Sequence, residues 1–295
     1  MQKNFEQLLD FVVSNTPLFV LTGAGCSTDS GIPDYRDNDG NWKFSKPVLL
    51  AEFMGSEFVR KRYWARSMAG WPRIDNAQPN PAHLSLAGME STGIIHYLVT
   101  QNVDGLHQKA GSERVLDLHG NLDNVICTSC GHLISRAKIQ EYFQNSNPGH
   151  NDEYQVTAPD GDVISNNVDY ASFNIPDCEK CNGILKPDVV FFGETVPKQR
   201  VNLAISMLQE SDALLIIGSS LMVFSGYRFV REAIKINLPV AAINLGRTRA
   251  DPLLDLKYQS SCGPILKTIS QLLVSQQKLV QFNLQSRNYN HIDYF

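Results

Sequence analysis

The chain has 295 residues, enough for one large domain or two moderate ones and for a core that needs no disulfide staples. Lys and Arg number 26 against 30 Asp and Glu, and the resulting net charge of −4 argues against a protein that coats DNA by neutralising phosphates. Hydrophobic residues at 43 % exclude a disordered or collagen-like chain, and no run nears the about 18 apolar residues of a transmembrane helix.

Residues 4–14 carry Phe5, Leu8, Leu9, Val12 and Val13 at helical spacing. This start has Lys3 alone against Glu6 and Asp10, so neither a secretory nor a mitochondrial leader is predicted and the cytoplasm is the expected location. Leu18 to Leu21 is a short apolar run ending at Thr22-Gly23, which predicts a buried strand. Glu52 to Met68 and His83 to Glu90 read as helices, with Pro72, Pro79 and Pro81 breaking the chain between them. Five further strands are predicted at 94–100, 115–118, 189–192, 213–217 and 240–244, with helices over 201–210 and 228–237. Apolar strands alternating with helices predict an α/β fold: a doubly wound, Rossmann-like parallel sheet. Residues 123–185 interrupt the alternation with four cysteines and a polar middle, and read as an inserted small zinc-binding module. One catalytic domain over 1–295 is expected. Its large lobe takes about 1–45, 84–122 and 186–275, its small lobe the module and about 46–83, and 276–295 form a polar tail.

The first strand runs into Gly23, Ala24, Gly25, Cys26, Ser27 and Thr28. Two glycines there suit close approach to a pyrophosphate, but Thr28 ends the G-x-G-x-x-G pattern, and a plain strand-to-helix turn has the same look. Three other strand ends are polar: Gln101-Asn102 with Asp104, Gly218-Ser219-Ser220, and Asn244-Leu245-Gly246. Ligands of open α/β sheets bind at the carboxyl ends of strands, so four such ends together predict a nucleotide site. Asn102 and Asp104 suit ribose hydroxyls, or else cap a helix. Asp34, Tyr35 and Arg36 follow Pro33 in a loop that suits a lid. His119, just past a strand, titrates in the range of a general base, although a lone histidine is more often structural.

Cys127-x-x-Cys130 and Cys178-x-x-Cys181 offer four thiolates to one Zn²⁺. Four thiolates close the tetrahedron, so the metal is structural and not catalytic. The alternatives are free or redox thiols, or a nucleic-acid-binding ribbon, for which no basic stripe is present.

These motifs together resemble the sirtuins, which are NAD-dependent protein-lysine deacylases. The likeness rests on Gly23 to Ser27, Gly31 to Arg36, Thr100 to His107, Leu118-His119-Gly120, Lys186 to Glu194 and the two cysteine pairs, and covers about residues 1–270. Finer features resemble the class II subgroup, that of mitochondrial sirtuin four and its bacterial relatives: Arg62 to Arg66, Gly70-Trp71-Pro72, Gln78 to His83, Ala158 to Val163, and Ser225 to Phe229. Cys26 stands where an aliphatic residue is usual, and Gly105 where Ala is.

The resemblance implies NAD phosphates near Gly23, Ala24, Gly25, Thr28, Gly218, Ser219 and Ser220, and the adenosine side near Asn244, Leu245, Gly246 and Cys262. Gln101, Asn102 and Asp104 would hold the nicotinamide ribose, closed over by Asp34, Tyr35 and Arg36. His119 would be the base, with Asn102 and Asp104 also in catalysis. The acyl group of a modified lysine on a protein would move to ADP-ribose, its backbone lying between Gly193-Glu194 and Val223-Phe224-Ser225. Protein ADP-ribosylation is the alternative activity, and an NAD-sensing module a third reading. No nucleic-acid or membrane partner is expected. Tyr63 and Arg66 match the Tyr-x-x-Arg pair with which class III members hold acidic acyl groups, so a preference for acidic or branched acyl chains, such as glutaryl-type groups, over acetyl is expected, unless the pair belongs to a solvated basic face with Arg60, Lys61 and Arg62.

Overall fold

The computed structural model describes residues 2–43, 47–150, 156–157, 163–164 and 169–273. Of the motif Ala158-Pro159-Asp160-Gly161-Asp162-Val163, only Val163 falls within these, and the polar tail from Gln276 lies outside them.

Its larger layer is a six-stranded parallel sheet. The strands are β1 (Leu18–Thr22), β2 (Ile95–Thr100), β3 (Val115–Asp117), and, after two intervening small sheets, β9 (Ala213–Ile217), β10 (Val240–Ile243) and β11 (Leu256–Tyr258). Their order is β11-β10-β9-β1-β2-β3. β1 is central and buried along its whole length. Its side chains divide between two cores, Leu18 and Val20 facing one way and Phe19 and Leu21 the other, as a strand covered on both faces requires. Helices α1 (Gln2–Ser14) and α4 (Pro81–Ser91) cover the first face with a final helical segment over 262–273, through Leu8, Leu86 and Leu266. α7 (Lys198–Gln209) and α8 (Phe224–Lys235) cover the second through Leu208 and Phe229. Thr22 pairs in register with Thr100 on one side and Ile217 on the other, so the carboxyl ends of three strands stand level.

A third core belongs to the smaller layer. Helices α2 (Leu50–Gly55), α3 (Glu57–Asn76), the short α5 (Leu106–Lys109) and α6 (Arg136–Ser146) surround an antiparallel sheet of β4 (Gly120–Cys127), β5 (Leu133–Ser135) and β8 (Leu185–Val189). β6 (Val156–Thr157) and β7 (Val163–Ile164) form a separate two-stranded ribbon.

Three predicted elements differ. The helix expected over Glu52 to Met68 is two, α2 and α3, parted at Ser56, whose extended backbone ends one and whose hydroxyl caps the other. The run 189–192, expected in the parallel sheet, is not a strand of it. β8 ends at Val189 and pairs antiparallel with β4. An unbroken apolar run signals burial on both sides but not the sheet that buries it. The predicted break at Pro72 is also absent, because α3 runs through it to Asn76. A proline inside a helix leaves the carbonyl four residues earlier without its donor. Here that carbonyl belongs to Met68, and Gln140 Nε2 of α6 donates to it at 2.8 Å. Arg136, wholly buried beside it, donates from Nη2 to the Ser67 carbonyl and stacks its guanidinium 4.9 Å from the Trp71 ring centre. The final helical segment and β11 are not among the predicted elements, although Gly263-Pro264 and Asp251-Pro252 punctuate the chain at or before their starts.

Gln140→Leu leaves the Met68 carbonyl buried without a donor. The variant should lose about 1–3 kcal/mol of stability, measured by denaturant unfolding, whereas the exposed Gln144→Leu should lose little.

Candidate active site

The level strand ends open into a cleft of about 510 Å³ between the two layers. Two loops meet backbone to backbone at its floor. Gly23 N–H donates to the Ile217 carbonyl and Gly25 N–H to the Gly218 carbonyl, at 3.0 and 2.8 Å. Gly218 has φ +62°, and a Cβ on it would lie 2.4 Å from the Cys26 nitrogen, so this crossing requires glycine.

Above that floor the polar strand ends are tied together. Gln101 Nε2 donates to Ser219 Oγ at 2.7 Å. Asn102 Nδ2 donates to Ser27 Oγ and to the Gly23 carbonyl. Ser27 in turn donates to Asp104 Oδ2 at 2.6 Å, while Asp104 Oδ1 accepts the N–H of Leu106, the first residue of α5. Its burial pushes its pKa up, and the Ser27 and Leu106 bonds pull it back. Ser27 lies in the glycine loop that the sequence singled out but carried no role there. Its hydroxyl is the link between Asn102 and Asp104.

His119 stands at the turn from β3 to β4. Its Nδ1 is 2.9 Å from the Gln101 carbonyl and its Nε2 2.8 Å from Ser225 Oγ. A carbonyl only accepts, so Nδ1 carries the proton and Nε2 presents its lone pair. Burial, chiefly, holds the ring's pKa below its ordinary 6.5, with Arg200 and Arg228 adding to the effect and the Gln101 bond opposing it. The imidazole is therefore neutral near pH 7, the state a general base needs.

The loop carrying Asp34, Tyr35 and Arg36 lies over the cleft. Asp34 pairs with Lys43, Arg36 donates to the Gly40 carbonyl and stacks 4.0 Å from the Trp42 ring centre, and Tyr35 and Trp42 meet Phe192 edge-on. Glu194 accepts from the Phe191 N–H and pairs with Lys186, so its carboxylate shapes the loop after β8. Gly193, Glu194, Val223, Phe224 and Ser225 all border the cleft, as do Thr28, Ser220, Asn244, Leu245, Gly246 and Cys262. Burial drives the Cys262 thiol up to about 12. Cys26 is buried beneath the glycine loop, in a cluster with the neutral imidazoles of His83 and His107.

One expected pair is divided. Tyr63 borders the cleft, packed against Phe53 and Phe191, but Arg66 is not part of that wall. The two lie three residues apart on α3, Tyr63 buried and Arg66 half-buried.

In the smaller layer Cys127 Sγ lies 3.5 Å from Cys181 Sγ and Cys130 Sγ 3.8 Å from Cys178 Sγ, all four within 4.8 Å of one another. A tetrahedral zinc with sulfur ligands at about 2.3 Å needs such sulfur spacings. The Cys130 N–H, with that of Ser129 behind it, draws the Cys127 thiol down to about 6, towards the thiolate a metal takes. The four cysteines fit one structural zinc. The cluster belongs to the small sheet and none of its members borders the cleft.

Replacing Cys178 by Ser should remove zinc from the purified protein by elemental analysis and lower its melting temperature, because metal binding and folding of this layer are coupled. Full zinc content in the variant would contradict the assignment.

Comparison with known proteins gives the family. The Sir2 family profile matches residues 23–225. An NAD-dependent protein deacetylase of Xanthomonas campestris is 53% identical over 264 residues, 90% of each chain. The mitochondrial NAD-dependent protein lipoamidase sirtuin-4 of Bos taurus is 46% identical over 267 residues, 90% of this chain and 85% of its own. Among solved structures, a Sir2 complex with a p53 peptide and NAD⁺ superposes with a TM-score of 0.74 at 28% identity, covering 90% of this chain and 97% of its own. By fold, motif and sequence the chain belongs to the Sir2 family.

Proposed function

We propose that the chain is an NAD-dependent protein-lysine deacylase that passes the acyl group to ADP-ribose and releases nicotinamide. The observation that carries this reading is the neutral imidazole of His119, oriented by a backbone carbonyl, in the same cleft as the glycine loop and the Gln101–Asp104 segment. The names of relatives support it: the Xanthomonas protein is a deacetylase, and a solved Sir2 neighbour at 28% identity holds a deacetylated peptide with acetyl ADP-ribose.

In this reading NAD supplies a ribose whose bond to nicotinamide is replaced by one to the acyl oxygen. The protein's residues hold, shield and move a proton. Gly23, Ala24, Gly25, Ser219 and Ser220 offer the phosphates a glycine-lined approach. Gln101, Asn102 and Asp104 hold the nicotinamide ribose beneath Tyr35 and Arg36, and Asn244 to Gly246 with Cys262 line the adenosine side. His119 Nε2 takes a proton from a ribose hydroxyl, and Nδ1–H, bonded to the Gln101 carbonyl, keeps the ring aligned as it becomes imidazolium. The substrate is an acylated lysine on a protein, its backbone between Gly193-Glu194 and Val223-Ser225 as an added strand. A reducing, cytoplasmic site of action suits a protein that keeps four zinc-type thiols unpaired.

Mass spectrometry of an acyl-lysine peptide incubated with NAD tests the activity. Loss of the acyl mass is expected, and a gain of ADP-ribose would favour ribosyl transfer instead. His119→Ala should lower turnover by roughly 10²–10⁴-fold. In the unmutated protein the acid limb of kcat/KM should fall below 6.5, since a base with a lowered pKa stays neutral to lower pH.

For the acyl group, the cleft wall offers Tyr63 without Arg66, which supports an uncharged chain over the acidic one that the Tyr-x-x-Arg spacing suggested. Arg66→Ala should therefore change kcat/KM for acetyl- and glutaryl-lysine peptides alike. A loss above tenfold confined to glutaryl-lysine would restore the acidic pocket.

A further inference from the structure

His119 is gripped at both ring nitrogens. With the proton fixed on Nδ1 by the Gln101 carbonyl, the neutral ring has only a lone pair at Nε2. The partner of that lone pair is the hydroxyl of Ser225, so Ser225 is the donor in this 2.8 Å bond. The direction of the bond follows from valence, whatever the proton positions drawn.

The fold places this hydroxyl deliberately close. Ser225 lies in the first turn of α8 and is 9% exposed. Its neighbour Gly226 has no side chain, and a Cβ there would come within 2.3 Å of Gln101 Oε1. The first turn of α8 therefore packs directly on Gln101, the residue whose carbonyl holds the other edge of the imidazole. Gln101 and Ser225 form the two jaws of one clamp, with contact between the jaws at Gly226.

Nε2 is also the nitrogen that must receive the ribose proton. We propose that Ser225 is the positioning residue of the general base: its hydroxyl holds the Nε2 lone pair in the direction from which the ribose hydroxyl donates, and gives up that place when the ribose arrives. The proposal deepens the deacylase reading and rests on it for the identity of the incoming hydroxyl. The exchange replaces one O–H donor by another on one lone pair. No covalent bond forms at Ser225, and its own proton stays with it.

The charged groups facing His119 are Arg200 of α7, which lies 3.9 Å from Asp188 of β8, and Arg228 of α8. Both arginines disfavour the imidazolium, as does burial. The Ser225 hydroxyl donates to Nε2 of the neutral ring and, by rotating, can accept from Nε2–H of the imidazolium, so it follows this edge of the ring through both states.

The test is a titration of His119 by nitrogen-15 NMR in the free full-length protein, with His119→Ala to assign the signals. Ser225→Ala should move the Nε2 resonance of the neutral ring downfield, to the value of an unbonded ring nitrogen. Ser225→Thr, which keeps the hydroxyl, should restore it. The same resonance in all three proteins would overturn the proposal. In the unmutated protein at neutral pH, the Nε2 resonance should lie upfield of an unbonded ring nitrogen. An unbonded value would also overturn it, with no need for the variant to fold. The titration uses neither NAD nor acyl peptide, so failure of the clamp and failure of the deacylase assignment are read separately.

Discussion

The close crossing of two backbones below the cleft, Gly23 to Gly25 over Ile217 and Gly218, is the constraint on which the site depends. It joins the carboxyl ends of β1 and β9 without intervening side chains. Because it leaves no room for a Cβ at Gly218, the loops can descend far enough for Ser219 to reach Gln101 and for Gly23 to reach Asn102. Every polar strand end then shares one floor. Without the crossing, the same residues would stand on separate loops with no fixed spacing.

From that floor the electrostatics are set by burial and by carbonyls, with little use of ion pairs. Asp104 is buried with two donors and no nearby cation bonded to it. His119 is half-buried with a carbonyl at Nδ1 and a hydroxyl at Nε2, and the carbonyl fixes its tautomer. Ion pairs appear instead at the rim, where Lys43 meets Asp34, and in the loop after β8, where Lys186 meets Glu194. The edge of the cleft at His119 and Asp104 is thus shaped by hydrogen bonds to carbonyls, hydroxyls and backbone N–H groups, each of them directional.

The smaller layer solves a different problem. It must present Tyr63, Phe191 and Phe192 to the cleft from elements that include a helix with an internal proline. Gln140 and Arg136 of α6 satisfy the α3 carbonyls around that proline, and the four cysteines tie the far end of β4 and β8 to the same core. The zinc-type cluster thereby anchors the antiparallel sheet whose other end carries His119 and the loop to Glu194.

The amino-acid sequence by itself determined the alternation of apolar strands and helices, the polar residues at four strand ends, the cysteine spacing and His119. Each of these is a local pattern, legible because burial periodicity, ligand spacing and turn chemistry act within a few residues. The sequence did not determine that the run 189–192 stays out of the parallel sheet, with β8 ahead of it joining β4, because an apolar run reports burial and not its partner. It could not show that α3 survives Pro72, since the compensating donor lies 72 residues away in Gln140. It did not separate Tyr63 from Arg66, because sharing a helix does not fix which side chain the cleft meets. Nor did it connect Ser225 to His119, 106 residues apart, or Ser27 to Asp104, 77 apart. Those contacts are decided by the tertiary structure alone, through the level register of β1, β2 and β9 and the close packing at Gly218 and Gly226.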